Sequence, residues 1–318
     1  MKKVLVILGP TATGKTDLGL FLAKRINGEL VACDSRQIYR NLDIGTGKFP
    51  ANEVKVIKHD RYWEMDGVKV WMYDVANPQT QYTVADYVED AKGVIEDILS
   101  QNKLPIIVGG TGLYLKALLE GLPNLSVPVD KNLREDLKKL SKEELQKKLQ
   151  GLSPKRWEGM NKSDRENPRR LLRSIEIILM NPYINKSQNI LKKGAKYETL
   201  KIGLTAPRDE LYRRVDLRIL RRVEQGMIKE AKSLYKKGLS LERMKSLGLE
   251  YRSLARLLNK EIGKKELVEI LKGEIHSFIR RQQTWFKKEK EVKWFDILDE
   301  NLFSKVEKEV RLWYYQQI

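Results

Sequence analysis

The chain has 318 residues, 41% of them hydrophobic, with 61 Lys and Arg against 43 Asp and Glu, for a net charge of +18. That length allows one large or two modest domains with a real core. The single cysteine, Cys33, excludes internal disulfides and any multi-cysteine zinc module, and fits a reducing compartment. The apolar run after Met1 is too short for a signal peptide, and no stretch approaches the length of a membrane span, so a soluble cytoplasmic protein without a membrane partner is expected. Residues 1–110 carry equal numbers of basic and acidic side chains, and the positive excess lies in 111–290. A regional excess of this kind points to a polyanionic partner, most simply nucleic acid, although a lysine-rich surface can also serve solubility.

The first predicted element is a strand, Val4–Leu8. It runs into Gly9-Pro10-Thr11-Ala12-Thr13-Gly14-Lys15-Thr16 and then a helix, Asp17–Ile26. A G-x-x-x-x-G-K-[ST] loop between a strand and a helix is a phosphate cradle: backbone N–H groups and a helix N-terminus gather around an anion, Lys15 adds a point charge, and Thr16 can ligate Mg²⁺. A second strand, Leu30–Cys33, leads into Asp34-Ser35-Arg36-Gln37. A carboxylate just past a strand faces the ligand cleft, where Asp34 could be a general base, a metal ligand or a helix cap. Asp43-Ile-Gly-Thr-Gly-Lys48 reads as a turn with Lys48 facing the cleft. Strands Val68–Tyr73 and Pro105–Val108 flank a helix at Val84–Gln101. The last of these strands ends in Gly109-Gly-Thr-Gly112, with Thr111 offering a hydroxyl and no acidic residue of the kind an ATPase often carries there.

Strands alternating with helices imply a right-handed parallel sheet with ligands beyond the strands' C-terminal ends. The expected architecture is therefore α/β: a P-loop NTPase-like parallel sheet flanked by helices, with a helical insertion and a helical C-terminal region. The expected core is 1–122 with 186–318, and the insertion is 123–185. Within the insertion, Lys131–Leu149 has a helical pattern and Asn167-Pro-Arg-Arg-Leu-Leu-Arg173 is basic. Lys201–Thr205 is expected to be the last strand, followed by amphipathic helices from Arg208 to Phe286. Arg214 and Arg218 share a helix face and could clamp a diphosphate. Arg280-Arg-Gln-Gln-Thr-Trp-Phe-Lys-Lys288 interleaves cations with aromatics, which suits phosphate contact and base stacking as well as a plain amphipathic helix. His59 and His276 are isolated and read as structural.

Taken in order, Gly9–Thr16, Asp34-Ser-Arg-Gln-Ile-Tyr-Arg40, Leu42-Asp-Ile-Gly-Thr-Gly-Lys48, Val108-Gly-Gly-Thr-Gly-Leu-Tyr114 and Arg281-Gln-Gln-Thr-Trp-Phe286 resemble the bacterial tRNA dimethylallyltransferases, also called tRNA isopentenyltransferases, over almost the whole length. The resemblance implies transfer of a dimethylallyl group from dimethylallyl diphosphate to the exocyclic amine of adenosine 37 in the tRNA anticodon loop, with Mg²⁺. The phosphate loop would then hold the donor's diphosphate rather than ATP. The resemblance assigns Gly9 to Thr16 to that diphosphate, Lys15 and Thr16 among them, and Asp34 to the amine proton. Ser35, Arg36 and Gln37 fall to the target base and its neighbours, and Thr111 to the reaction centre. Arg218, with Arg214 beside it, falls to the diphosphate. Arg134, Arg169, Arg170 and Arg173 match tRNA-contacting positions, as do Arg281, Gln282, Trp285 and the segment from Met244 that contains Lys245. In that segment the family commonly reads Ile-Gly-Tyr-Lys-Glu where this chain has Leu247-Gly-Leu-Glu-Tyr251, so Leu249 receives no contact role. Eukaryotic members commonly carry a C-terminal zinc finger, and this chain, with one cysteine, fits the bacterial type; a monomer is expected. The competing readings are a P-loop kinase, a prenyltransferase acting on free adenine nucleotides, and a non-catalytic RNA-binding protein.

Overall fold

The computed structural model describes residues 2–50, 53–125, 127–180 and 197–316. They form two compact units, Met1–Leu119 with Ala195–Ile318, and Glu120–Gly194. The boundary expected at 185/186 lies outside the described residues.

The first unit is built on a sheet of eight strands among the described residues: β1 (Lys3–Leu8), β2 (Gly28–Ala32), β3 (Val56–Lys58), β4 (Tyr62–Met65), β5 (Val68–Trp71), β6 (Leu104–Gly109), β7 (Glu198–Thr205) and β8 (Val292–Asp296), in the order β3-β4-β5-β2-β6-β1-β7-β8. From β5 to β8 neighbouring strands are parallel. Val4 to Leu8 are all buried, as expected for a strand covered on both faces, which reads as a continuous apolar run. The helices α1 (Lys15–Ile26) and α2 (Val84–Ser100) and the shorter α3 (Gly112–Leu119) provide the crossovers. Thr83 and Asp86 close a capping box at the start of α2.

Two features differ from the expected all-parallel sheet. At one edge β3, β4 and β5 are antiparallel. The turn between β4 and β5 is Asp66-Gly67, with φ of 47° and 81°. Positive φ at both central residues defines the type I′ turn that Asp-Gly favours, because its twist matches that of the strands. At the other edge β8 follows β7 in the chain, so Lys201–Thr205 does not belong to the last strand. β8 is largely exposed and shows no apolar run to betray it.

In the second unit, α4 (Lys131–Lys138), α5 (Lys142–Leu152), α6 (Pro154–Glu158), α7 (Lys162–Arg165) and α8 (Pro168–Met180) pack around Leu137, Leu145, Leu149, Met160, Leu171 and Ile175. After β7 the first unit continues with α9 (Arg208–Glu224), α10 (Met227–Lys236), α11 (Leu241–Leu247), α12 (Leu249–Leu258) and α13 (Lys264–Phe286), and after β8 with α14 (Leu302–Tyr315). Helices α9 to α13 bury Leu211, Val215, Ile219, Leu254, Leu271 and Ile275 with Ile38 and Leu42 in one cluster. That cluster fixes the arginine-rich α9 beside the segment that follows β2.

Candidate active site

The C-terminal ends of β1, β2 and β6 deliver three loops to one place: Gly9–Gly14, Asp34–Gln37 and Gly110–Thr111. In the first, the Thr13 hydroxyl donates to the Pro10 carbonyl at 2.9 Å, and Lys15 Nζ donates to the same oxygen at 2.5 Å. Thr111 links the other two: its Oγ1 accepts the Ser35 N–H at 3.2 Å. Asp34 Oδ1 accepts the N–H groups of Arg36 (2.8 Å) and Gln37 (3.4 Å), so this carboxylate does cap the turn after β2. Its Oδ2 accepts no hydrogen bond among the described residues. Asp34 thus caps this turn through Oδ1 and is also among the residues that line the clefts of this site.

Arg218 reaches across from α9, donating to Thr11 Oγ1 at 3.3 Å and to the Gly47 carbonyl at 3.1 Å. One turn on, Arg222 donates to the Gly45 carbonyl at 3.3 Å and pairs with Glu250 at 3.2 Å. Gly47 has φ +65°, and a Cβ there would run into the guanidinium groups of both Arg222 and Arg218, so only glycine lets the two arginines lie against the turn. Burial, then the charge of Arg218, push the Lys15 ammonium down to about 7 against the opposing pull of Asp34. Burial and Arg222 likewise push Arg218 down to about 9. Cations crowded and desolvated in this way constitute a site that gains from taking up an anion.

Two adjoining clefts open here. One, of about 510 Å³, is lined by Ser35, Arg36, Thr111, Arg252, Phe278 and Arg281 among others. The other, of about 570 Å³, is lined by Thr11 to Thr16, Gln37, Phe49, Gly110, Arg214 and Gln282 among others. Thr11, Asp34, Thr46, Arg218, Arg222 and Phe278 line both, so the carboxylate and the arginine stand where the two meet.

Other residues singled out in the sequence are distributed as follows. Arg214 lines the second cleft with its Nε on Glu210 at 2.7 Å. Gln282 is buried and bridges two loops, accepting from the Thr11 N–H at 3.0 Å and donating to the Gly110 carbonyl at 2.9 Å. Trp285 packs against Gly112, where any Cβ would strike its ring. Lys245 pairs with Glu261 at 3.1 Å. In the second unit Arg134 grips the buried Glu176 through two bonds of 2.8 and 2.7 Å. Arg173 donates to the same carboxylate at 2.5 Å and to the Val127 carbonyl at 2.9 Å. Arg170 pairs with Asp164, and Arg169 is exposed. Lys48 does not face the cleft as expected: it is fully buried between Asp43 (2.7 Å) and Asp74 (2.5 Å), because a buried ammonium needs partners on every side. His276 is structural in the sense expected, hydrogen-bonded to Asp216 at 2.8 Å and stacked on Tyr212. Arg222 was missed, though its spacing of four from Arg218, itself four from Arg214, marks the same helix face.

The protein donors for a metal that line this cleft beside the loop are hard oxygens, among them the Thr16 hydroxyl and the Asp17 and Asp34 carboxylates. Among the described residues no group of three or more His, Cys, Asp or Glu could hold a metal by itself. That donor set fits Mg²⁺ held chiefly by a ligand's phosphate oxygens. No described helix is long and apolar enough to cross a membrane.

The family model for IPP transferase matches residues 37–289, and that for isopentenyl transferase matches 2–70. The chain is 37% identical over 305 residues to the tRNA dimethylallyltransferase of Halothermothrix orenii, covering 92% of this chain and 87% of that protein. It is 36% identical over 315 residues to that of Bacillus mycoides, covering 96% and 93%. The crystal structure of the tRNA isopentenylpyrophosphate transferase of Bacillus halodurans superposes with a TM-score of 0.70 at 32% identity, covering 98% of this chain and 96% of that one. A eukaryotic dimethylallyltransferase acting on tRNA shares the fold with a TM-score of 0.77 at 22% identity, covering 99% and 79%. A match over most of the length by family model, by sequence and by fold carries one conclusion: this chain belongs to the IPP transferase family.

Proposed function

We propose that this protein transfers a dimethylallyl group from dimethylallyl diphosphate to the exocyclic amine of adenosine 37 in tRNA, releasing diphosphate. The observation that carries the reading is the meeting of the two clefts at Asp34 and Arg218, with Lys15 of the loop and the arginines of α9 on one side and Ser35, Arg36 and Arg281 on the other. The donor enters by the Thr11–Thr16 side, where the loop's amides, Lys15 and Arg218 hold its diphosphate in the manner of a P-loop. The tRNA's anticodon loop lies over the other opening with the target base turned out of its stack, which a loop base permits more readily than a paired one.

The amine nitrogen attacks the allylic carbon bonded to oxygen, forming the C–N bond as the C–O bond breaks and its electron pair leaves on the diphosphate. Asp34 Oδ2 takes the proton that the amine sheds. The adenine amine is a weak nucleophile because its lone pair is delocalised into the ring, so alignment and proton acceptance account for much of the rate. Lys15 and Arg218 stabilise the charge that develops on the leaving group. Mg²⁺, held by Thr16 and the diphosphate, would supply further neutralisation of that charge. Thr111, hydrogen-bonded to Ser35, keeps the strand ends that carry Asp34 and the base contacts together. We propose a cytoplasmic monomer acting in this way.

Nucleoside analysis of a tRNA transcript after incubation with donor and Mg²⁺ tests the reading. One prenyl unit on the amine of adenosine 37 is expected; unmodified adenosine at that position refutes it.

A further inference from the structure

Glu230 lies on α10, outside every motif that marks the site. Its carboxylate nevertheless accepts the N–H groups of three consecutive residues, Asp43 at 2.9 Å, Ile44 at 2.7 Å and Gly45 at 3.0 Å. A fourth hydrogen bond comes from the Tyr251 hydroxyl at 2.6 Å. Successive backbone amides converging on one anion form a nest, and charge-assisted bonds of this kind are the strong ones. The other end of the same turn is pinned by the buried Lys48, bonded to Asp43, Asp74 and the Tyr39 carbonyl. The carbonyls between these two anchors receive the arginines: Gly45 takes Arg222, and Gly47 takes Arg218 at 3.1 Å and Gln37 Nε2 at 3.0 Å.

We infer that Glu230 is a positioning residue for the anion site: by holding the amides of 43–45 it fixes the carbonyls against which Arg218 and Arg222 are aimed. The inference rests on the proposed role of Arg218 as a diphosphate ligand. A Glu230→Gln side chain keeps the shape and one acceptor oxygen but puts an NH₂ where the other oxygen accepted two hydrogen bonds, so the turn loses part of its anchor while α10 keeps its packing.

The test is isothermal titration of the full chain with inorganic pyrophosphate, for the unaltered protein, E230Q, R218K and the double variant. Because Glu230 acts through Arg218, E230Q is expected to weaken binding about tenfold in the unaltered background and less than about twofold when Arg218 is already replaced, a coupling that independent sites do not show. Tyr251→Phe removes only the hydroxyl that helps aim the carboxylate. It should shift affinity in the same direction by a smaller factor, and it gives the reading if E230Q does not fold. Pyrophosphate binding unchanged by E230Q, or weakened by the same factor in both backgrounds whatever the melting temperature does, overturns the inference. Prenyl transfer assayed on the same preparations separates the two ideas. Pyrophosphate binding without transfer refutes the proposed chemistry and leaves the positioning role supported, whereas no pyrophosphate binding by the unaltered protein refutes both.

Discussion

Gln282 ties the Thr11 amide, 271 residues away along the chain, to the Gly110 carbonyl, 172 residues away, through bonds of 3.0 and 2.9 Å. A residue expected among the tRNA contacts thus braces two loops of the site from within. Gln282→Ala leaves the part-buried Thr11 N–H and the buried Gly110 carbonyl without this partner, at a cost of about 1–3 kcal/mol for the buried acceptor if water does not replace it. The expected result is a lower melting temperature together with a KM for dimethylallyl diphosphate raised about tenfold. A change confined to the KM for tRNA would contradict the bracing role.

Asp34 holds the turn through Oδ1 and lines both clefts, so Asp34→Asn and Asp34→Ala should differ. The amide keeps an acceptor for the Arg36 and Gln37 N–H groups but cannot take a proton. We expect single-turnover transfer by D34N to fall about 10²–10⁴-fold, the usual scale for a lost general base, with pyrophosphate affinity within about threefold of normal. D34A should lose transfer and, in addition, unfold at lower temperature. Transfer by D34N at the normal rate would remove Asp34 from the proton's path.

The Lys15 ammonium, pushed down to about 7 by burial and Arg218, gains a reason to stay charged when a diphosphate arrives. Between pH 7 and the ordinary lysine range, binding should therefore take up a proton, and affinity should fall as pH rises, by up to about tenfold per unit. Titration of pyrophosphate in buffers of different ionisation heats reads the uptake directly. Lys15→Met should show only the ligand's own protonation. Equal proton uptake by both proteins would mean that Lys15 is charged throughout.

Burial pushes the Cys33 thiol up to about 12. The thiolate is the reactive form, so at pH 8 native Cys33 should resist iodoacetamide, while the denatured chain is alkylated readily. Rapid labelling of the folded protein would contradict this, and so would a thiol role in the chemistry.

Within the second unit Glu176 is buried and held by Arg134 and Arg173. Burial raises its pKa, but the two arginines more than offset this and hold it below the usual carboxylate range. Glu176→Gln leaves two guanidinium groups competing without their anion and should destabilise this unit by about 3–5 kcal/mol. Limited proteolysis should then cut within 120–194 first. Unchanged cleavage would show that the arginines are free for other work.

The parts of the site that are legible in the sequence are those whose chemistry is local. Gly9–Thr16 and Gly109–Gly112 announce themselves because a backbone that must approach a ligand restricts residue type over a few consecutive positions. Asp34 is legible as a carboxylate at a strand end, although its split role is not. The antiparallel edge was within reach, since Asp66-Gly67 between alternating residues is a hairpin signal; β8 was not, because an exposed edge strand needs no apolar run. Lys48, Glu230 and Gln282 are illegible for a common reason. Each owes its place to partners 5 to 271 residues away in the chain, and hydrogen bonds across such distances leave no periodicity behind. Arg134 and Arg173 illustrate the converse: an excess of basic residues suggests a polyanion, yet the sequence cannot show that a single buried glutamate already holds these two arginines.

The measurement that bears most directly on the account is label transfer from radiolabelled dimethylallyl diphosphate, with Mg²⁺, to three acceptors in parallel: unmodified tRNA with adenosine at position 37, the same tRNA with that base replaced, and AMP. Label in the first alone is the predicted result. Label in AMP, or equal label in both tRNAs, would contradict the proposed substrate, and no label in any acceptor would contradict the prenyl-transfer chemistry itself.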